Sequence, residues 1–305
     1  MNNGKGAYGG MKSRLTFLIL VLLCCTLPAC AQNNENHNHN TAAATPAVSD
    51  PMVSQDWAKQ RVAKSPRHRE WVKVKNGARE VNSFVVYPEV KDKATAVIVI
   101  HEIFGMSDWV QSLTDQLAEA GYIAIAPDLL SGMGPNGGGT SSLDSNAVGQ
   151  AIRDLPPDQI TADLNAVADY VGKLPAANGK IVVTGYCWGG GQSFRYATNN
   201  PNIKAAFVFY GPAPAAADGT PDKAALAKIT APVYGFYAGN DARINATLPK
   251  TIEAMNELKK KFEPVTYEGA GHGFMRAGEA PDANEANKKA RDDAWARWKK
   301  LLAAI

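Results

Sequence analysis

A largely β-branched segment at residues 180–184 (KIVVT), read as a buried strand, leads directly into Gly185-Tyr186-Cys187-Trp188-Gly189-Gly190-Gly191, and helical character follows through residue 196. This junction constrains the fold more than any other feature of the chain. An unbroken run of this kind fits a strand buried on both faces. Glycines two residues to either side of Cys187 let the strand turn at once into a helix, because larger side chains there would collide. The turn would lift Cys187 to the helix N-terminus, where the backbone dipole favours an anion. For a thiol this is expected to lower the pKa and raise the reactive thiolate fraction. The competing reading is a small buried thiol in a glycine-rich turn.

The rest of the chain repeats strand and helix. Residues 71–75 and 83–87 read as strands joined by a turn at Asn76-Gly77. Residues 96–100 (AVIVI), 122–126, 205–210, 233–237 and 265–267 read as further strands. Helices are expected at 107–120, with Ser107 as N-cap and Gly121 as stop, and at 159–174, 249–262 and 285–302. Residues 131–142 form a glycine-rich loop. Such alternation implies a mostly parallel, doubly wound sheet flanked by helices, with sites at the carboxyl ends of the strands. No second composition regime appears, so residues 57–305 are expected to form one domain.

The first 29 residues read as an address. Lys12 and Arg14 precede an apolar run ending at Leu23, and Leu27-Pro28-Ala29-Cys30 follows. That run is shorter than the roughly 20 residues of a membrane span. Leu27-Pro28-Ala29-Cys30 resembles a bacterial lipobox, which makes Cys30 the lipidation candidate. Simple cleavage after Ala31 and an uncleaved anchor stay open, as does a start at Met1 or Met11. The expectation is export, either as a cell-envelope lipoprotein or as a periplasmic or secreted protein. Residues 30–56 read as a polar, Asn-rich linker. His37 and His39 within it fit a solvated tether better than a metal site. Three of the 32 basic residues (Lys5, Lys12 and Arg14) lie in the leader, so the remainder balances the 29 acidic ones. A neutral body gives no electrostatic reason to expect nucleic acid. Membrane contact is expected only through the N-terminal lipid. Of four cysteines only Cys187 remains beyond residue 30, so the body has no internal disulfide.

Three further groups follow strand ends. Asp241 comes just after 233–237, and His272 just after 265–267 in Gly271-His272-Gly273-Phe274. Nucleophile, acid and histidine in this chain order match the triads of strand–elbow–helix hydrolases. Taken singly, Asp241 is turn chemistry and His272 a loop histidine. Glu102, in His101-Glu102-Ile103-Phe104-Gly105, ends the AVIVI strand, where a carboxylate among apolar neighbours is not a natural core choice. There it could face the thiol; the bland reading is a solvent-facing loop acid. The backbone N–H groups of Ile103 and Trp188 are the natural oxyanion donors. His101 reads as structural.

Together His101-Glu102-Ile103-Phe104-Gly105, Pro127-Asp128-Leu129, the Cys187 elbow, Asn240-Asp241 and Gly271-His272-Gly273-Phe274 resemble the dienelactone hydrolase family over about residues 70–303. The resemblance implies an α/β-hydrolase fold without a large cap domain and no cofactor or metal. It implies enol-lactone hydrolysis by a triad falling here on Cys187, Asp241 and His272. It also implies a Glu, here Glu102, that pairs with the resting thiol and helps activate it. Family members that act on dienelactone hold the substrate carboxylate with two arginines. Arg276 matches one of them; the other has no counterpart near Gly132. The expectation is therefore a monomeric hydrolase of small lactones or activated esters. The alternative is a non-catalytic ligand-binding protein of the same fold at the cell envelope.

Overall fold

The computed structural model describes residues 55–305. The leader, Cys30 and residues 30–54 of the expected linker lie outside the described residues. In chain order the elements are α1 (Asp56–Lys64), β1 (Arg69–Asn76), β2 (Arg79–Val86), β3 (Ala94–Ile100), α2 (Asp108–Glu119) and β4 (Ile123–Pro127). Next come α3 (Ser145–Arg153), α4 (Pro157–Gly172), β5 (Ala177–Tyr186), α5 (Trp188–Asn199), β6 (Ala206–Phe209), α6 (Lys223–Leu226) and β7 (Val233–Ala238). The chain closes with α7 (Ala242–Asn245), α8 (Leu248–Glu257), β8 (Phe262–Tyr267), α9 (Phe274–Ala277) and α10 (Glu285–Ala303).

The strands form one eight-stranded sheet in the order β1-β2-β4-β3-β5-β6-β7-β8. β1 and β2 are an antiparallel hairpin, β2 also runs antiparallel to β4, and every later pairing is parallel. β3 has all seven residues buried. Side chains alternate across a strand, so Ile98 and Ile100 join one core with Leu164, Val167 and Phe194. Val97 and Val99 join the other with Trp109, Leu113 and Trp298. The unbroken apolar run is the signature of that double burial.

Sequence and structure agree where the chemistry is local. Ser107 caps α2, its hydroxyl accepting from the Val110 N–H. The turn at Asn76-Gly77 closes the β1–β2 hairpin, with Gly77 at φ 60°. They part at the helix expected over 249–262. α8 stops at Glu257, Lys259 takes a left-handed φ of 55°, and Phe262 already opens β8. The Lys260 N–H bonds back to the Met255 carbonyl, a helix-ending arrangement usually marked by glycine. Helix α3 arises where only Val148 and Ile152 are buried, too sparse a pattern to announce itself.

The sheet presents its site through one crowded crossing. A Cβ on Gly185 would run into the Gly189 carbonyl, and one on Gly189 into the carbonyl of His101 and that of Ile100, the latter at 2.5 Å. Helix α5 therefore leaves β5 in van der Waals contact with the end of β3. Gly189→Ala should destabilise the protein by about 1–3 kcal/mol, as overpacking against rigid backbone does. Urea denaturation measures it, and an unchanged midpoint would contradict the crossing.

Candidate active site

Cys187 sits between β5 and α5 at φ 55° and ψ −117°, a conformation a non-glycine residue holds only at a cost. Its backbone is pinned on both sides. The Cys187 N–H donates to Phe209 O at 3.1 Å, and the Gly191 N–H donates to Cys187 O at 3.3 Å. The N–H groups of Trp188 and Ile103 both bear on Sγ and favour its thiolate. Those are the two donors expected from the sequence.

The thiol itself departs from expectation. Burial pushes its pKa up to about 11, and the negative charge of Glu102 adds to the rise. The two N–H groups and the cation of Arg243 act the other way and are outweighed. Desolvation of the charged form thus outweighs the two N–H groups that face the thiol.

Asp241 and His272 meet across the ends of β7 and β8, with His272 Nδ1 and Asp241 Oδ2 at 2.5 Å. A carboxylate can only accept, so Nδ1 donates and the neutral imidazole leaves Nε2 as an acceptor. Asp241 is buried, and its other oxygen accepts from the Ile244 N–H at 3.3 Å. The two loops are stitched by the Asn240 N–H to Ala270 O and by Asn240 Nδ2 to Gly269 O. The ring of Tyr210 stands edge-on to His272 at 5.0 Å. Tyr210 is itself buried at φ 41°, and its hydroxyl has no hydrogen-bond partner among the described residues.

Glu102 is 2% exposed, so it is not a solvent-facing loop acid. Its carboxylate accepts from Arg276 Nε at 2.7 Å, rather than from the thiol. For Arg276, burial opposes its charge, but the attraction of Glu102 more than offsets this and raises its pKa. The guanidinium also lies 5.3 Å from the ring of Phe104. The residue expected to read a substrate anion is thus already paired within the protein. His101 is structural as expected: Nε2 accepts from the Leu129 N–H at 3.3 Å, which leaves Nδ1 to donate to Glu102 O at 2.8 Å. Burial lowers its pKa, keeping the ring neutral at pH 7.

The glycine-rich loop is tied down by Asp128, a residue quoted for its motif but given no task from sequence. Its carboxylate accepts from the Thr140 N–H at 2.8 Å and from Thr140 Oγ1 at 2.7 Å. Thr140 Oγ1 in turn accepts from the Met106 N–H, just past the Ile103 donor. Beside this loop lies a cleft of about 290 Å³ walled by Phe104, Met106, Thr140, Leu143 and Val148. The guanidinium nearest Gly132 is that of Arg79, which is locked onto buried Asp163 at 3.0 Å. Sequence reading also missed Arg243, two residues beyond Asp241; its only signal was that position. Among the described residues no group of three or more His, Cys, Asp or Glu is placed to hold a metal ion.

An open, mostly parallel sheet with a strained elbow between strand and helix, and an acid–histidine pair beyond later strands, defines an α/β-hydrolase. The model of the dienelactone hydrolase family matches residues 81–305, and the chain belongs to that family. It is 33% identical over 225 residues to a Salmonella typhi protein named "Putative carboxymethylenebutenolidase", covering 72% of this chain and 80% of the relative. A Saccharolobus solfataricus protein of the same name is 31% identical over 263 residues, covering 75% of this chain and 96% of the relative. A crystal structure described as "Putative Dienelactone Hydrolase" from Klebsiella pneumoniae superposes with a TM-score of 0.68 at 26% identity, covering 78% of this chain and 99% of that one. The protein is a hydrolase of the carboxylic ester and lactone class.

The electrostatics at Sγ give a directional prediction. Glu102→Gln removes a charge that disfavours the thiolate and leaves Arg276 uncompensated, so the thiol pKa should fall. Each unit of fall raises the thiolate fraction about tenfold at pH 8. Alkylation of Cys187 by iodoacetamide should therefore speed up in the variant, with stability lower by about 1–3 kcal/mol from the orphaned guanidinium. Slower alkylation at pH 8 would reverse the assigned sign.

Proposed function

We propose that Cys187, His272 and Asp241 hydrolyse carboxylic esters and lactones through a thioester acyl-enzyme. The observation that carries this reading is the 2.5 Å Asp241–His272 bond, past the carboxyl ends of β7 and β8, in the same sheet whose β5 ends at a strained Cys187 with two backbone donors bearing on Sγ. His272 Nε2 takes the thiol proton as Sγ attacks the carbonyl carbon. The tetrahedral oxyanion is received by the N–H groups of Ile103 and Trp188. The C–O bond to the leaving oxygen breaks, and that oxygen takes the proton from His272. Water then gives a proton to His272 and attacks the thioester, releasing the acid and restoring the thiol. Asp241 holds the tautomer throughout.

Glu102 tunes the thiol through its charge, since a neutral thiol must surrender its proton only when a base and an acceptor are both in place. Arg276 borders the substrate as a hydrogen-bonding edge, its charge offset by Glu102. No cofactor takes part in this scheme. On the N-terminal sequence alone we also propose export, as a lipoprotein through Cys30 or as a periplasmic or secreted protein acting as a monomer; the mass of the mature chain separates a lipidated from a plainly cleaved N-terminus.

A panel of simple lactones and aryl esters tests the chemistry. Cys187→Ala should lower kcat/KM by roughly a thousandfold or more. Cys187→Ser should be far poorer than wild type, because a hydroxyl is much less anionic than a thiol. A pre-steady-state burst would report the acyl-enzyme. Wild-type rates in Cys187→Ala would overturn the nucleophile, and no turnover of any ester would favour the ligand-binding alternative.

A further inference from the structure

The N–H of Ile103 and the carbonyl of Glu102 belong to one planar peptide unit, and in a trans peptide they point opposite ways. Whatever holds the Glu102 carbonyl therefore aims the Ile103 N–H. Two groups hold it. The Gly105 N–H donates to Glu102 O at 3.1 Å and closes the turn, and His101 Nδ1 lies 2.8 Å from the same oxygen. A carbonyl only accepts, so Nδ1 carries the proton, and Nε2 accepts from the Leu129 N–H at 3.3 Å. Both ring nitrogens are thus engaged by backbone, one in the loop after β3 and one in the loop after its parallel neighbour β4. With neither nitrogen free, His101 cannot serve as a second base. Its ring is fully buried and lies over the indole of Trp188, centroids 5.6 Å apart and planes within 14°. Trp188 supplies the other N–H that bears on Sγ. One imidazole is therefore bonded to the peptide of one donor and stacked on the side chain of the other.

We propose that His101 is the positioning residue of the oxyanion site, aiming the Ile103 N–H through the Glu102 carbonyl. The bond from Nδ1 acts in two ways. It fixes the plane of the peptide, and it polarises the amide so that the N–H at the far end donates more strongly, as bonds in a chain do. The gain falls where charge develops. A neutral substrate carbonyl profits little from a well-aimed donor, whereas an oxyanion profits greatly, so the contribution belongs to the transition state rather than to substrate binding. The Leu129 bond to Nε2 holds the tautomer that makes this possible, as Asp241 does for His272, so the two buried histidine bonds serve opposite ends of one reaction.

The oxyanion itself rests on the proposed hydrolytic mechanism, so one arm of the test reads the same N–H without turnover. His101→Phe keeps a ring over Trp188 and removes the donor. His101→Asn gives up the ring and restores a donor, since its Nδ2 stands about where Nδ1 stood. On an aryl ester, kcat should fall about ten- to a hundredfold in His101→Phe with KM nearly unchanged, a part of the 10²–10³ that a lost oxyanion donor costs. His101→Asn should recover most of that loss. In the second arm Cys187 is alkylated by iodoacetamide at pH 8. A thiolate that keeps less of the Ile103 N–H is disfavoured, so the rate should drop roughly threefold in His101→Phe and return in His101→Asn. A third measurement needs no variant: ¹⁵N NMR of histidine-labelled wild type should show the buried ring protonated at Nδ1 and bare at Nε2. An Nε2–H tautomer would overturn the proposal whether or not His101→Phe folds. So would a folded His101→Phe with either rate unmoved, or a His101→Asn that loses as much as His101→Phe, which would leave the ring a packing element. If wild type turns over no ester while alkylation still follows the donor, the hydrolytic reading fails and His101 keeps its hold on the Ile103 N–H.

Discussion

The close passage of the elbow against the ends of β3 and β6 sets the geometry of everything around it. Three strand ends and one helix start meet within a few ångströms of backbone, and only glycine fits at the contacts. That crowding holds Cys187 at a positive φ that it would not choose alone. It also brings the Ile103 N–H, from the loop after β3, to the same atom as the Trp188 N–H. These two N–H groups, the proposed oxyanion donors, are therefore consequences of packing, fixed before any substrate arrives, which is what makes such donors effective. The stack of His101 on Trp188, with centroids 5.6 Å apart, extends this fixation sideways into the loop that carries Glu102.

How much of this was legible depends on whether the signal was local. The buried strands announced themselves because both their faces are covered, and the elbow because its glycines answer a backbone collision. Asp241 and His272 could be named from chain order, though only the structure brings their side chains to 2.5 Å. The ends of α8 and β8 were not legible, because Lys259 takes a left-handed conformation without a glycine to mark it. The pairing of Glu102 with Arg276 spans 174 residues, and no spacing rule reaches that far. The thiol was misjudged for a related reason. A helix N-terminus can be read from sequence, but the burial that opposes it is a property of the assembled site.

The charges of the site sort by exposure into two kinds of work. Glu102, Asp241 and Asp128 are each buried, and each is matched inside the protein by a guanidinium, an imidazole or a set of N–H and O–H donors. Removing any one of their partners leaves a buried charge in low dielectric, so these groups are constrained to hold position. Arg243 carries no such obligation and stands at the surface.

A neutral thiol beside an internally balanced pair of charges has a physical consequence for timing. With its pKa near 11, Cys187 is almost wholly protonated at neutral pH, and adventitious electrophiles or oxidants meet a poor nucleophile. In the proposed mechanism, the imidazole takes the proton in the same event that places a carbonyl between the two backbone donors. In that scheme the carbonyl oxygen develops its charge directly on the N–H groups of Ile103 and Trp188. The hydrogen bonds those donors make to a nascent oxyanion strengthen as the C–S bond forms. Stabilisation is thereby concentrated in the transition state, while the resting site stays close to electrically neutral.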